Sequence, residues 1–324
     1  MESPIRWGVI GLGRIAHKFV QDLAYIHDAQ LSAVASTSAD RSEAFAKQYG
    51  AKYHYGSYEG ILSCPELDVV YIATPHTSHC KLTVMCLEAR IPVLCEKPFG
   101  MDLREVRQMV WASHANQTFL MEAMWSRFIP GVQKAKEMVE RGEIGKLHTI
   151  KADFGFNAPL DMEGRLYNKS LGGGSLLDVG IYPVFLALLL LGKPKRIHAS
   201  AKLGVTGVDE SCAMLFEYEG GEIGMLHSSI VAKTGVEAYL YGDKGSIYMH
   251  SGFYKTQTLT KQLNSGESEE ISVPYQGHGY HFEAREVQAC LRAGVLQSSL
   301  MPHWFSLDLI GQLDRVRKKI RLGY

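Results

Sequence analysis

The sequence predicts an α/β domain with a doubly wound parallel sheet over residues 1–122, then an α+β domain with a mostly antiparallel sheet over residues 123–324. Three observations predict this. Apolar strands alternate with helical segments as far as residue 121, and after Gly131 that alternation gives way to a long series of strands. A single hydrophobic core also stops growing at roughly 250–300 residues, so a chain of 324 calls for two.

Taken in order, strands are expected at 5–10, 31–35, 68–73, 91–95 and 118–121, with helices at 14–26, 41–49, 82–89 and 103–114 between them. The strands are continuous apolar runs, as when helices cover both faces of a sheet, and the alternation calls for right-handed βαβ units. Beyond the switch near Phe128-Ile129-Pro130 come a helix to residue 141, a strand at 147–154, and a long apolar helix opened by Gly172-Gly173-Gly174 and running to Leu191. Residues 195–273 read as strands joined by glycine turns, with no crossover helix, so they pair largely antiparallel. Helices at 280–292 and 304–320 close the chain.

Composition excludes several functions. There are 34 basic and 34 acidic residues, which leaves no electrostatic footprint for nucleic acid and no polybasic run for a membrane surface. The start, Met1-Glu2-Ser3-Pro4, lacks the basic and apolar segments of a signal peptide. The most apolar run, residues 184–191, is far short of the roughly 20 residues that cross a bilayer. A soluble, cytoplasmic protein is expected. The six cysteines, with no C-x-x-C pair, read as small buried hydrophobes in a reducing compartment, and no metal site is expected.

Gly11-Leu12-Gly13-Arg14-Ile15-Ala16 matches G-x-G-x-x-G/A. The first glycine makes the tight turn, the second lets a pyrophosphate approach the backbone, and the small third residue lets helix and strand pack closely. Glycine pairs occur in ordinary turns. This one ends a strand, opens a helix and begins a βαβ series, so it points to a dinucleotide on a Rossmann sheet. An NAD enzyme usually carries Asp or Glu at the end of the second strand. Here stand Ser36, Thr37 and Ser38, with Asp40 several residues late and Arg41 after it. Hydroxyls and an arginine suit a 2′-phosphate, so NADP is favoured and NAD stays possible. Arg41 would equally suit a solvated helix start.

Glu96-Lys97-Pro98 ends the fourth of these strands, where ligands of open parallel sheets bind, and Pro98 restricts the geometry of Lys97. Asp178 and Tyr182, four apart, share a face of the apolar helix, and a carboxylate buried there needs a partner. Taken alone, each of these residues has an ordinary structural reading.

Together the glycine motif, the E-K-P and Gly172-Gly173-Gly174-Ser175-Leu176-Leu177-Asp178-Val179-Gly180-Ile181-Tyr182 resemble the Gfo/Idh/MocA oxidoreductases. Leu120-Met121-Glu122-Ala123-Met124-Trp125-Ser126-Arg127-Phe128 and Leu94-Cys95-Glu96-Lys97-Pro98 resemble the branch that contains the dimeric dihydrodiol and D-xylose dehydrogenases. The resemblance implies that Lys97 is the catalytic lysine, Tyr182 the acid/base residue, and Asp178 the group that orients substrate or Tyr182. It places Thr74, Pro75, His76 and His79 on the nicotinamide side, Glu96 on the nicotinamide ribose, and Trp125, Arg127 and Phe154 around the substrate. It implies an open-faced second sheet that forms a homodimer. Thr37 stands where many relatives of the branch carry arginine, while Arg41 matches a lysine of another branch.

The reading is an NAD(P)-dependent dehydrogenase of a secondary alcohol or hemiacetal, in a polyol, a D-xylose-like sugar or a cyclic trans-diol. Trp125, Phe154 and Phe156 suit sugar faces and cyclohexadiene rings alike, while Tyr280, His281 and Phe282 suit either the pocket or helix packing. Tyr182 would take the hydroxyl proton, with the Lys97 ammonium stabilising the phenolate. The alternatives are a non-catalytic dinucleotide sensor and a redox-neutral enzyme with tightly bound NAD.

Overall fold

The computed structural model describes residues 3–324, so Met1 and Glu2, part of the start read above as no signal peptide, lie outside the described residues. The apolar runs of the first half form β1 (Ile5–Ile10), β2 (Ala29–Ala35), β3 (Tyr53–Tyr55), β4 (Val69–Ile72), β5 (Val93–Glu96) and β6 (Leu120–Ala123). Between them lie α1 (Arg14–Leu23), α2 (Ala39–Tyr49), α3 (His79–Glu88) and α4 (Leu103–Asn116). The strands pair in parallel in the order β3-β2-β1-β4-β5-β6. The order reverses at β1, which puts the ligand crevice outside the carboxyl ends of β1 and β4. β4, β5 and β6 are buried throughout, as strands covered on both faces must be. β3, three residues around the polar His54, was not expected.

The second sheet has eight strands: β7 (Leu147–Gly155), β8 (Arg196–Leu203), β9 (Asp209–Glu217), β10 (Ile223–Ser229), β11 (Ala238–Gly242), β12 (Gly245–Met249), β13 (Thr258–Leu263) and β14 (Ser268–Ser272). Their order is β14-β13-β12-β11-β7-β10-β9-β8, antiparallel except for the pair β7–β10. Side chains alternate. Met214, Phe216, Leu226 and Leu240 are buried, while Leu215, Met225 and Tyr241 are exposed. The buried side receives α6 (Ile181–Leu191), and α5 (Pro130–Glu140) packs with α6 and β13.

The glycine-opened helix differs from the expectation in two ways. It begins as a π turn over Leu176–Gly180 and becomes α-helical at Ile181, so Asp178 and Tyr182 do not share a regular α-helical face. The stretch Lys169–Leu191 is also long and apolar enough to cross a membrane, contrary to the estimate from residues 184–191; 83% of its apolar window is buried, as in a core helix.

The domain division needs correction as well. Among the described residues, one unit comprises those up to Trp125 with 276–307, and the other 126–275 with 308–324. The return is fixed by Asp22 at the end of α1. Its buried carboxylate accepts the backbone N–H of His278 at 2.8 Å and of Tyr280 at 2.7 Å, opening α7 (Tyr280–Arg292). Leu120 N–H donates to the Leu296 carbonyl, and His303, the first residue of α8 (His303–Ile320), lies 2.9 Å from the Leu120 carbonyl.

Burial opposes the charge on Asp22, but the hydrogen bonds from His281, His278 and Tyr280 outweigh it and hold the carboxyl below its ordinary value. Asp22→Ala should therefore cost about 2–4 kcal/mol in denaturant unfolding, the worth of a buried charged helix cap. Because the folded-state value is depressed, this contribution is present above the ordinary carboxylate value of about 3.9 and is lost as pH falls through the folded value.

All six cysteines are free; five are buried and Cys64 is half-buried. Burial pushes the Cys86 and Cys212 thiols up to about 12, which makes them inert.

Candidate active site

In the first unit β1 runs into Gly11, whose N–H donates to the Ala35 carbonyl at 3.0 Å. Gly11 has φ +89°, and a Cβ there would lie 2.8 Å from the Ala73 carbonyl carbon and oxygen at the end of β4. Only glycine fits both demands. Gly13 differs: its backbone is extended and a Cβ would meet nothing within 4 Å. It opens α1 without a side-chain cap, which leaves N-terminal amides for a ligand. Leu12 and Ala16 are buried, Ile15 is half-buried and Arg14 is exposed. Across from this turn the Thr74 hydroxyl is buried without a hydrogen-bond partner. Open space at Gly13, an uncapped helix and an orphaned hydroxyl fit a dinucleotide pyrophosphate, which residues 11–15 would hold.

Ser36 at the end of β2 is buried, and its hydroxyl accepts the Ser38 N–H at 3.3 Å. Ser38 caps α2 by accepting the Arg41 N–H at 3.3 Å. This leaves the Thr37 and Arg41 side chains exposed beside Tyr58, which sequence reasoning missed. Burial pushes the Tyr58 phenol up, while the Arg41 charge and the Thr37 hydroxyl act in the opposite direction.

After β4, Pro75 is exposed and His76 buried. His79 is fully buried, with its ring nitrogens 2.9 Å from the Pro98 carbonyl and 3.0 Å from the Thr74 carbonyl. Burial holds its pKa below the ordinary value. His79 lies between the turn after β4 and the turn after β5, and a neutral ring can donate to one of these two carbonyls at a time. That second turn contains the cis Lys97–Pro98 bond and half-buried Lys97. Glu96 is buried; it accepts the Tyr71 hydroxyl at 2.5 Å and the Lys97 N–H at 3.1 Å. Trp125 stacks on Tyr280 with ring centroids 4.6 Å apart, so Tyr280 joins its wall.

In the second unit Tyr182, in the first turn of α6, faces Phe154 of β7 at 5.4 Å and Tyr254 at 4.8 Å. Phe154 and Tyr254 stack at 4.7 Å. Tyr254 sits in a short 3₁₀ turn, Phe253–Lys255, that no motif marks, and burial pushes its phenol up. Phe156 lies beyond Phe154 at 6.5 Å, and Arg127 is buried with its carbonyl accepting from Gln133.

Asp178 finds the partner its burial demands in Arg165, whose two terminal nitrogens lie 2.7 and 3.3 Å from its oxygens. The π turn is held from behind by Asp209, which accepts the Ser175 hydroxyl and the Leu176 N–H, each at 2.7 Å. Burial raises the Asp209 carboxyl to about 6. Lys97 and Glu96 thus belong to the first unit, and Tyr182, Asp178 and Phe154 to the second. Among the described residues no group of three or more His, Cys, Asp or Glu could hold a metal ion.

Comparison with known proteins follows the same division. Residues 5–123 match the model described as an oxidoreductase family with an NAD-binding Rossmann fold, and residues 132–248 match a GFO/IDH/MocA C-terminal domain. Trans-1,2-dihydrobenzene-1,2-diol dehydrogenase of Mus musculus is 36% identical over 99% of this chain and 98% of its own. The Homo sapiens protein of that name is 33% identical with the same coverage. Among solved structures, an aldose-aldose oxidoreductase from Caulobacter crescentus complexed with glycerol has a TM-score of 0.90 at 22% identity, covering 99% of this chain and 98% of that one. A 3-ketoreductase from Actinomadura kijaniata with NADP and TDP-benzene has 0.89 at 24%, covering 98% of each. These two show a shared fold.

Proposed function

The chain belongs to the Gfo/Idh/MocA oxidoreductases, and on that premise we propose that it oxidises a secondary alcohol of a small cyclic trans-diol or the hemiacetal of a D-xylose-like aldose, using NADP. The observation that carries the reading is the presence of a glycine cradle open at Gly13 and of a tyrosine in the first turn of α6, just after a π turn, within an aromatic wall. The diol ranks first because the relatives matched over nearly the full length bear that name.

When bound, the dinucleotide supplies the hydride acceptor. Tyr182 accepts the carbinol proton as general base. An unassisted phenol titrates near ~10, so it needs a fixed positive charge, and Lys97 is assigned that role. Asp178 is a positioning group: its carboxylate is paired with Arg165, and the pair anchors the π turn that leads into the first turn of α6, where Tyr182 stands. Phe154 and Tyr254 are proposed to wall the substrate ring, and Trp125 and Arg127 are proposed as substrate-binding residues, each of its own unit. Glu96 is assigned to the nicotinamide ribose. A second copy of the chain is proposed to pair through the uncovered face of the eight-stranded sheet, where Tyr239 and Tyr248 stack at 4.6 Å. Six free thiols suit a reducing, cytoplasmic setting.

NADP is favoured over NAD because exposed Arg41 and Thr37 and buried Ser36 stand at the end of β2 where an acidic residue would select NAD. Arg41→Ala should weaken NADPH binding by about 10- to 100-fold, the worth of a charge-assisted phosphate contact, and leave NADH binding within twofold. Fluorescence titration of both reduced cofactors checks this. Equal effects on the two would refute the assignment.

A further inference from the structure

Glu283 stands in the first turn of α7, fully buried, and neither of its carboxyl oxygens has a hydrogen-bond partner. Around the start of α7 the His278 and Tyr280 amides donate to Asp22 and the Phe282 amide to the Gly279 carbonyl, and none of them reaches Glu283. The charged groups that act on Glu283 are both acids: Glu96 at the end of β5 and Asp22 on α1. The Tyr71 phenol on β4 and the Tyr280 phenol on α7 complete the titratable set, for Tyr71 senses Glu96, Glu283 and Tyr280 together. His281 on α7 is engaged by Asp22, and the Lys97 charge acts on Glu122, so neither is shown acting on Glu283. Glu96 is provided for differently, with the Tyr71 hydroxyl and the Lys97 N–H as its donors.

Two buried carboxyls that sense each other do not both ionise readily; the one with donors keeps the charge and the one without keeps the proton. A neutral carboxyl also gives up far less than a carboxylate on leaving water. We propose that Glu283 is held as a neutral carboxylic acid, so that it adds no negative charge beside Glu96, the acid with donors of its own that is assigned to hold the dinucleotide. Glu283 is then a positioning residue that acts through Glu96. This rests on the reading that Glu96 contacts the dinucleotide. Burial first, and then Glu96 and Asp22, push Glu283 well above the carboxylate range, in line with the proposal.

The test is difference infrared spectroscopy of the cofactor-free full chain, with NADPH titration alongside. Glu122, itself pushed up to about 7 by burial, is the acid to be distinguished, so spectra are taken well above that pH. The carbonyl band of a protonated carboxylic acid should be present in wild type and in Glu122→Gln, and absent from Glu283→Gln. At the same pH Glu283→Gln should bind NADPH within about twofold of wild type, because glutamine reproduces a neutral acid, whereas Glu96→Gln should lose at least about tenfold, a buried charged contact.

The proposal is overturned by a wild type without the band, by a band that survives Glu283→Gln or vanishes in Glu122→Gln, or by several-fold tighter NADPH binding in Glu283→Gln, the sign of a removed negative charge. If Glu283→Gln does not fold, the wild-type and Glu122→Gln spectra decide. A wild type that binds no NADPH would refute the dinucleotide reading while the spectra still report on Glu283, so the two failures are distinguishable.

Discussion

Tyr182→Phe should lower kcat for oxidation of trans-1,2-dihydrobenzene-1,2-diol by about 10²- to 10⁴-fold, the usual contribution of a positioned general base. The substitution isolates the hydroxyl. Phenylalanine keeps the ring that faces Phe154 at 5.4 Å and Tyr254 at 4.8 Å, so the aromatic wall and the fold persist. The NADPH dissociation constant should stay within about twofold of wild type, since the substitution removes one hydroxyl from a residue that is not assigned to the cofactor. Lys97→Met should cause a loss of similar size, because a phenol without a stabilising charge is a poor base near neutral pH. Groups that act as a unit are not additive, so the double variant should be little slower than the worse single one. Steady-state kinetics with the diol check all three. Single variants that keep near-wild-type turnover would remove Tyr182 and Lys97 from the chemistry.

Gly13→Val should raise the NADPH dissociation constant at least about 100-fold, or 2.7 kcal/mol, with little loss of stability. The protein itself has room for a Cβ there, since one at Gly13 meets nothing within 4 Å, and the local backbone is extended. The cost in folding is about 1 kcal/mol for a poorer helix cap. The space it fills is the approach a pyrophosphate needs. Gly11→Ala makes the opposite case. Its Cβ would lie 2.8 Å from the Ala73 carbonyl carbon at φ +89°, so it should destabilise the chain by about 1–3 kcal/mol whether or not cofactor is present. Thermal unfolding and fluorescence titration of the two variants separate the cradle from the packing. Equal NADPH affinity in Gly13→Val and wild type would mean that the phosphates lie elsewhere.

The parallel sheet was legible because strands buried on both faces are written as unbroken apolar runs, and β4 and β5 stand close to where those runs fall. The glycine motif was legible because its backbone demands are local. β3 was not, since three residues with a histidine at the centre carry no period. Nor could the parallel pairing of β7 with β10 be read, because alternation along a strand is silent about its neighbour's direction. The return of residues 276–307 to the first unit depends on a carboxylate some 250 residues upstream capping α7, a contact with no local signature.

Among site residues, Tyr254 and Tyr58 lie in short turns without a motif. Arg165 had a usable signal: a carboxylate in an apolar helix needs a cation, and this arginine lies in the loop just before the glycines. The π turn escaped because i,i+4 spacing presumes a regular helix. His79 was assigned to the cofactor by resemblance, and its ring also lies within hydrogen-bond distance of two backbone carbonyls, which an alignment of motifs does not show.

The central claim is that the chain moves a hydride from a carbinol carbon to a nicotinamide. The most direct measurement is the absorbance of reduced nicotinamide when the protein is mixed with oxidised NADP and either trans-1,2-dihydrobenzene-1,2-diol or D-xylose as sole reductant. The account predicts continuous formation of NADPH over many turnovers by wild type with at least one of the two. Protein that binds NADP yet forms no NADPH with either would contradict it and leave a dinucleotide-binding sensor in its place.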